Sequence, residues 1–290
     1  MQRFTVPGPG GHVAGLNFGR PSGPIDAIFL HATGFCALTY RRLLQRLGSE
    51  RRVVALDLRG HGHTTLPAHP FKLTDWYGYA ADVVATLRHL NDGLPTPKLI
   101  AGHSMGGTVS LLALTAEPTL AAALLMIDPA FVTPQMRKKF LLPFGPQLMR
   151  RRVPIARGAA RRRREFPSAE AILASYTGRG AFKTWQPGFL EDYIEDGFVR
   201  GADGAWVLRC SPAWEAATFT SHRHDLEAAL RALKAPARVL LAEHGSIAVR
   251  AAGLMHECAP QLVQETVAGS SHFLPMEQPE LVCERMLAMM

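Results

Sequence analysis

Five short apolar runs, separated by longer amphipathic stretches, are the feature that most limits how this chain can fold. Strands that are buried on both faces are almost uniformly apolar, and helices connect such strands into parallel sheets. The pattern therefore predicts an α/β fold, with a mostly parallel central sheet and helices on both of its faces. The predicted strands cover residues 27–30, 53–56, 98–101, 123–127 and 238–241, and the predicted helices cover residues 40–47, 76–90, 107–116 and 281–289.

The alternation stops between residues 133 and 214. This segment contains arginine runs, scattered aromatic residues and several prolines, but no convincing buried strand. Because strands resume at residue 238, we interpret the segment as a helical cap inserted into one sheet domain. The predicted core domain comprises residues 1–132 and 215–290, and the cap domain comprises residues 133–214. The cap is expected above the carboxyl ends of the strands, where open α/β sheets bind ligands.

The net charge of +8 comes from one part of the chain. Eight arginines lie between residues 150 and 164, and the rest of the chain has 24 basic and 24 acidic residues. No recognisable nucleic-acid-reading module accompanies the arginines, so we do not expect nucleic-acid binding. Helical spacing would place Arg157, Arg161 and Arg164 on one side, with Arg162 and Arg163 pointing elsewhere. We interpret the run as a solvated face, open to anionic substrates or surfaces, that takes no part in the chemistry.

Other features narrow the class of protein. The four cysteines are far apart and form none of the close pairs used by metal sites or small disulfide frameworks, so we expect reduced, mostly buried thiols. Neither a signal peptide nor an uncharged run of about 18 residues is present, which predicts a cytoplasmic protein without stable membrane insertion. No metal cluster, dinucleotide glycine pattern or phosphate loop appears, so we expect a small-molecule substrate and neither a metal nor a cofactor. The sequence neither predicts nor excludes a homodimer.

The segment Gly102-His103-Ser104-Met105-Gly106 follows a predicted strand and precedes a predicted helix. A serine on such a sharp turn has a strained backbone, and glycines two residues before and after it relieve the crowding. The turn presents the Ser104 hydroxyl clear of the sheet, and the helix directs unpaired amides and its positive dipole end toward a developing oxyanion. An ordinary loop is the alternative, but the position between strand and helix favours a nucleophile.

A nucleophilic serine needs a base, because a free hydroxyl is a poor nucleophile near neutral pH. Among the twelve histidines, His272 lies in a glycine- and serine-rich loop after the last apolar segment and just before the terminal helix. Its order after Ser104 suits this kind of fold. We interpret as surface or hinge residues the histidines in polar surroundings, which are His61, His63, His69, His222, His224, His244 and His256.

Together these pieces resemble the capped, serine hydrolase branch of the α/β-hydrolase superfamily, over nearly the whole chain outside the cap. Residues 30–35 are similar to the oxyanion loop of that family, and residues 57–62 resemble its turn after the next strand. The resemblance implies that the backbone amides of Met105 and Thr33 form the oxyanion hole, each contributing roughly 3 to 4 kcal/mol. Ala32 replaces the glycine that usually follows His31, and we expect His31 to be a structural hydrogen-bonding residue.

The resemblance leaves two candidates for the acid that orients His272. Many family members carry the acid after the penultimate core strand, where this chain has Glu243, but Gly245 and Ser246 occupy the usual aspartate region. A recognised alternative places it after the preceding strand, where this chain has Asp128. We predict Asp128 as the acid, with Glu243 as the alternative. A turn-forming or helix-capping role for Asp128 stays open.

These residues predict a serine hydrolase that cleaves a carboxylic ester of a small apolar substrate through an acyl-enzyme on Ser104, with His272 as general base. Two other functions remain in play on the same scaffold: hydrolysis of a carbon–carbon bond in a vinylogous diketone, and a catalytically silent small-molecule receptor. The aromatic residues of the cap either line an apolar pocket or form the core of the cap itself. They are Phe140, Phe144, Phe182, Trp185, Phe189, Tyr193, Phe198 and Trp206.

Overall fold

The computed structural model describes all 290 residues, and its strands and helices alternate along most of the chain. The strands are β1 (Gln2–Gly8), β2 (Gly11–Gly19), β3 (Ala27–Leu30), β4 (Arg52–Leu56), β5 (Leu99–His103), β6 (Ala123–Ile127), β7 (Glu165–Phe166), β8 (Phe198–Arg200), β9 (Trp206–Leu208), β10 (Ala237–His244) and β11 (Val263–Ser271). The helices are α1 (Arg41–Gln45), α2 (Tyr77–Leu90), α3 (Met105–Ala116), α4 (Pro134–Leu141), α5 (Gly145–Arg152), α6 (Pro154–Ala160), α7 (Ala169–Tyr176), α8 (Phe189–Gly197), α9 (Pro212–Thr218), α10 (Leu226–Ala232), α11 (Ala252–Cys258), α12 (Leu274–Glu277) and α13 (Pro279–Leu287). None of these helices is long and apolar enough to cross a membrane.

Eight strands form one sheet in the order β1-β2-β4-β3-β5-β6-β10-β11. The β1–β2 and β2–β4 pairs are antiparallel, and all the pairs from β4 to β11 are parallel. The predicted α/β fold with a mostly parallel sheet is therefore confirmed. The five predicted strands are present, but β1, β2 and β11 were missed. β1 and β11 lie at the two edges of the sheet with much of their length exposed, so neither is a uniformly apolar run.

The alternation of side chains along each strand explains why the central strands are apolar throughout. In β3, Ile28 and Leu30 point to one face of the sheet, whereas Ala27 and Phe29 point to the other. Helices α2, α3, α10 and α11 cover the first face, and α1, α13 and parts of the inserted segment cover the second. Each central strand thus buries both of its faces, as the sequence pattern requires.

The segment inserted between β6 and α10 lies over the carboxyl ends of the strands. It contains helices α4 to α9, but also a small antiparallel sheet in the order β7-β9-β8, which the prediction of a purely helical cap missed. These strands are two or three residues long, too short to produce a detectable alternation. The predicted boundary between the cap and the core at residue 214 falls inside α9 and would divide this helix between the two domains.

Candidate active site

The sharp turn that carries Ser104 joins β5 to α3. Ser104 has φ of 54° and ψ of −117°, a strained combination for a residue with a side chain. Glycine is required on both sides because the chain passes other backbone closely. A Cβ on Gly102 would lie 2.3 Å from the carbonyl carbon of Gly106, and a Cβ on Gly106 would lie 2.1 Å from the oxygen of Leu30. The turn therefore holds the Ser104 hydroxyl at the carboxyl edge of the sheet.

The structure brings Ser104, His272 and Asp128 into one hydrogen-bonded row. The Nε2 atom of His272 lies 3.1 Å from Ser104 Oγ, and its Nδ1 atom lies 2.5 Å from Asp128 Oδ2. Ser104 follows β5, Asp128 follows β6 and His272 follows β11, and the carboxyl ends of these parallel strands lie at the same edge of the sheet. Serine, imidazole and carboxylate in this order are the arrangement that general-base activation of a nucleophile requires.

Asp128 is fully buried, and its carboxylate is held by several donors. Besides His272, the amide of Ala242 donates to Oδ1 at 3.2 Å, and the hydroxyl of Ser246 donates to the same oxygen. Burial raises the pKa of this carboxyl, but the hydrogen bonds and the charge of His272 outweigh burial and leave the pKa below its ordinary value of 3.8. Asp128 is therefore ionised at neutral pH, and Ser246, in the usual aspartate region, supports it.

Glu243 lies outside this row. Its side chain is half exposed, and its Oε2 atom accepts a hydrogen bond from the amide of Gly269 at 2.8 Å. The carboxylate thus binds the last part of β11, just before His272, and forms no hydrogen bond with the imidazole.

The backbone amides of Thr33, which lines the same cavity as Ser104, and of Met105, the next residue in the chain, donate to no other protein group. The amide of Ala32, in contrast, donates to the hydroxyl of Tyr40 at 3.1 Å. Of the two neighbouring amides in this loop, only that of Thr33 is therefore free to stabilise an anion. Two unpaired amides near a nucleophilic oxygen are what an oxyanion hole requires.

A second row of hydrogen bonds ties this loop to the His272 loop. The carbonyl of His272 can only accept, so His103 Nε2 donates to it at 2.7 Å, and Nδ1 accepts from the Tyr40 hydroxyl at 2.8 Å. Because Tyr40 also accepts from Ala32, the row positions both loops relative to Ser104. His31 is likewise structural, as expected, since its Nε2 atom accepts from the amide of Leu58 at 2.9 Å. No motif had indicated His103 or Tyr40.

A cavity of about 640 Å³ opens beside Ser104 and His272. Only Phe182 of the eight cap aromatics lines it, because most of the others are buried in the apolar core and Phe144 is exposed. The interpretation of these aromatics as a core is therefore largely correct. The wall consists of Ala32, Thr33, Phe35, Ile155, Gly158, Ala159, Arg162, Gly180, Ala181, Phe182, Glu215, Phe219 and Phe273. No group of three or more His, Cys, Asp or Glu side chains is placed to hold a metal ion.

One charged pair faces this cavity. Arg162 Nη1 donates to both carboxylate oxygens of Glu215, at 3.3 and 3.1 Å, and Nη2 donates to the hydroxyl of Tyr193 at 2.6 Å. The exposed fractions of the two charged side chains are only 16% and 10%. The prediction that the whole arginine run is a solvated face was therefore wrong for Arg162. Helix α6 ends at Ala160, so the expected helical spacing of the run does not hold, and the chain turns Arg162 inward.

The interpretation as surface or hinge residues was wrong for three histidines. His61, His222 and His224 are buried, the latter two against Trp76. Burial lowers the pKa of His61 and of His222 to about 4, and that of His103 to about 3. His61, His103 and His222 are therefore neutral in the folded protein at neutral pH, because burial disfavours the charged imidazole.

We expect these histidines to make the protein sensitive to mild acid. The unfolded chain binds protons at imidazoles of pKa about 6.5, whereas the folded protein does not until about pH 4, so stability falls as pH drops between these values. Each buried histidine lowers the free energy of unfolding by about 1.4 kcal/mol for each pH unit in this range, so three of them lower it by about 4 kcal/mol per unit. Urea denaturation at several pH values measures this slope. His222→Phe should reduce the slope and the exposed control His256→Gln should not, and a stability independent of pH would contradict the prediction.

Comparisons with known proteins identify the family. Residues 27–285 match the model of the alpha/beta hydrolase family. Over 274 residues, the chain is 26% identical to a 2-(acetamidomethylene)succinate hydrolase of Mesorhizobium japonicum, covering 90% of this chain and 86% of the relative. A solved E-2-(acetamidomethylene)succinate hydrolase superposes with a TM-score of 0.77 at 22% identity, covering 96% of this chain and 95% of that one.

A thermophilic esterase from Thermogutta terrifontis superposes with a TM-score of 0.68 at 22% identity, covering 99% and 97% of the two chains. Identities at this level establish the shared fold and leave the substrate undetermined. Since the family model covers six of the eight strands of the large sheet and all of the inserted segment, this chain belongs to the alpha/beta hydrolase family.

Proposed function

We propose that this hydrolase cleaves a carboxylic ester of a small, uncharged and largely apolar substrate. Ser104 Oγ attacks the ester carbonyl carbon while His272 Nε2 takes the hydroxyl proton, and Asp128 holds the imidazole by its Nδ1–H. The amides of Thr33 and Met105 stabilise the oxyanion. His272 then protonates the departing alcohol, and a water molecule, deprotonated by His272, hydrolyses the acyl-enzyme and restores Ser104.

The observation that carries this proposal is the coincidence of an activated hydroxyl with two unpaired amides. The 3.1 Å contact between Ser104 and His272 supplies the nucleophile, and the free amides of Thr33 and Met105 supply the oxyanion site. A receptor needs neither feature, because binding alone develops no charge on a reacting oxygen. The geometry therefore favours acyl transfer over a catalytically silent receptor.

The Arg162–Glu215 pair in the cavity supports the proposal that the substrate is uncharged. The guanidinium of Arg162 is already neutralised by Glu215, so the cavity has no free cation for a substrate carboxylate. The relative named for a succinate derivative acts on a molecule with carboxylate groups, and we do not extend that substrate class to this chain. The remaining wall is mainly apolar, which suits an alkyl or aryl acyl group.

Labelling with a fluorophosphonate probe, followed by turnover of p-nitrophenyl esters of increasing acyl length, tests the proposal. We expect labelling at Ser104 and the fastest turnover for acyl chains that fit a cavity of about 640 Å³. Labelling without turnover of any ester would reject ester hydrolysis and redirect the search to carbon–carbon bond cleavage, which a vinylogous diketone would report. No labelling at all would reject an activated Ser104.

Removing the negative partner of Arg162 should change the substrate preference. Glu215→Gln leaves an unneutralised guanidinium in the cavity, so kcat/KM for a carboxylate-bearing ester relative to its neutral analogue should rise about tenfold, a modest fraction of the Coulomb energy of such a pair. Glu191→Gln removes the same charge from an exposed position on α8 and serves as the control. An unchanged ratio in the Glu215 variant would show that the pair does not face the substrate.

A further inference from the structure

Positive charge is concentrated on one part of the cap. Residues 129–164 contain eleven basic residues and no acidic one, whereas the rest of the chain has 21 basic and 24 acidic residues. This segment is therefore strongly cationic, and the rest of the chain is slightly anionic. Such an asymmetric distribution attracts and orients an anionic partner.

Most of these cations have no partner within the protein. In this part of the chain, only Arg137 and Arg162 form salt bridges, with Asp225 and Glu215. Like charges that are clustered without counter-charges repel one another, and an external anion relieves that repulsion. The exposed members that form no salt bridge, which we call the unpaired cations, are Lys138, Lys139, Arg151, Arg152, Arg157, Arg161, Arg163 and Arg164.

Large apolar side chains are exposed among these cations. Phe144, in the turn before α5, is 79% exposed, and Phe71, in a core loop that contacts α5, is 80% exposed. Leu141, Leu142 and Leu148 are also exposed. With the eight unpaired cations, these five apolar residues define what we call the cap face. Exposed single apolar residues are common, but a cluster surrounded by cations marks an interaction site.

The two phenylalanines are held in their exposed positions. The amide of Gln147 donates to the carbonyl of Phe71 at 3.2 Å, and the guanidinium of Arg150 donates to the carbonyl of Pro70 and lies 5.7 Å from the centre of the Phe71 ring. Phe144 has φ of 53°, a conformation that costs energy for a bulky residue. Phe71, Phe144 and Leu148 line a common groove of about 510 Å³.

The cap face adjoins the candidate active site. Helix α6 contributes Ala160 to the groove and Ile155, Gly158 and Ala159 to the cavity beside Ser104. Only α6 therefore separates the cavity from a partner that is bound in the groove.

We propose that the cap face binds reversibly to an anionic phospholipid surface. Phosphate headgroups neutralise the eight cations, and the exposed phenylalanine and leucine side chains enter the boundary between headgroups and acyl chains. Nucleic acid would satisfy the cations but would leave the aliphatic leucines in water. A lipid surface neutralises the cations and also removes the apolar side chains from water. It brings the cavity close to esters that partition into membranes.

Co-sedimentation with vesicles tests this proposal. The Ser104→Ala protein is used, so that binding is measured without consumption of lipid and independently of the proposed ester hydrolysis. We expect binding to vesicles in which about a third of the phosphatidylcholine is replaced by phosphatidylglycerol, little binding to phosphatidylcholine alone, and loss of binding at about 0.5 M salt. Arg151→Gln with Arg152→Gln should weaken binding about thirtyfold, and Phe144→Ser should weaken it about tenfold.

Matched variants on the core serve as controls. Lys234→Gln with Arg250→Gln removes two exposed cations, and Ile247→Ser removes an exposed apolar side chain. Equal weakening by these controls, or equal binding to both kinds of vesicle, would overturn the proposal. Binding to a mixed-sequence oligonucleotide in place of vesicles would reassign the surface to nucleic acid. Self-association abolished by Phe144→Ser, without vesicle binding, would reassign it to a second copy of the chain.

Discussion

Replacing Ser104 with alanine is expected to reduce ester hydrolysis by about 10⁶-fold, the loss seen when the nucleophile of a comparable triad is removed. The acyl-enzyme cannot form without Oγ, and His272 then has no hydroxyl to deprotonate. Fluorophosphonate labelling should disappear with turnover. Steady-state hydrolysis of the best p-nitrophenyl ester, measured beside labelling, gives both results from one protein preparation.

The Ser104 variant should stay folded, because only a hydroxyl is removed from a side chain at the edge of a cavity. Its free energy of unfolding should change by less than about 1 kcal/mol. Ser49→Ala, at an exposed position, is the matched control and should keep full activity and labelling. Turnover retained within about a hundredfold in a folded Ser104→Ala protein would disprove the proposed mechanism.

Asp128→Asn is expected to lower turnover by about 10⁴-fold, whereas Glu243→Gln should lower it less than about tenfold. Only the carboxylate of Asp128 accepts from His272 Nδ1, and it thereby leaves Nε2 as the acceptor for the Ser104 proton. An asparagine at this position can donate through its amide, which favours the tautomer that carries its proton on Nε2. That tautomer cannot act as a base toward Ser104.

The two variants are matched, since each replaces a strand-end carboxylate with the corresponding amide. Glu243→Gln retains an oxygen that can accept from the amide of Gly269, so the loop before His272 should keep its position. Both are measured as kcat on the same ester, with circular dichroism as the check on folding. A larger loss in the Glu243 variant would assign the orienting role to Glu243 and leave Asp128 as a turn residue.

The sequence by itself predicted the five central strands of the sheet and the sharp turn that carries Ser104. The five buried strands could be identified because burial on both faces requires uninterrupted apolar runs. The position of Ser104 could be identified because close backbone approach excludes side chains at Gly102 and Gly106, a requirement visible in the residues themselves. His272 could be proposed as the base from its position in the sequence, because it follows both Ser104 and the last apolar segment of the core.

Only the tertiary structure showed that Asp128, and not Glu243, contacts the imidazole of His272, and only it showed that Arg162 is turned inward. Both carboxylates end strands, and sequence order alone does not say which side chain reaches the imidazole of His272. Arg162 resembles its neighbours Arg161 and Arg163 in sequence, but it is turned toward Glu215, 53 residues further along the chain. The physical reason is the same in both cases. Local sequence determines the periodicity of strands and helices and shows where only glycine allows two backbone segments to lie close together. The partner of a buried charge depends instead on which distant segments the fold brings together.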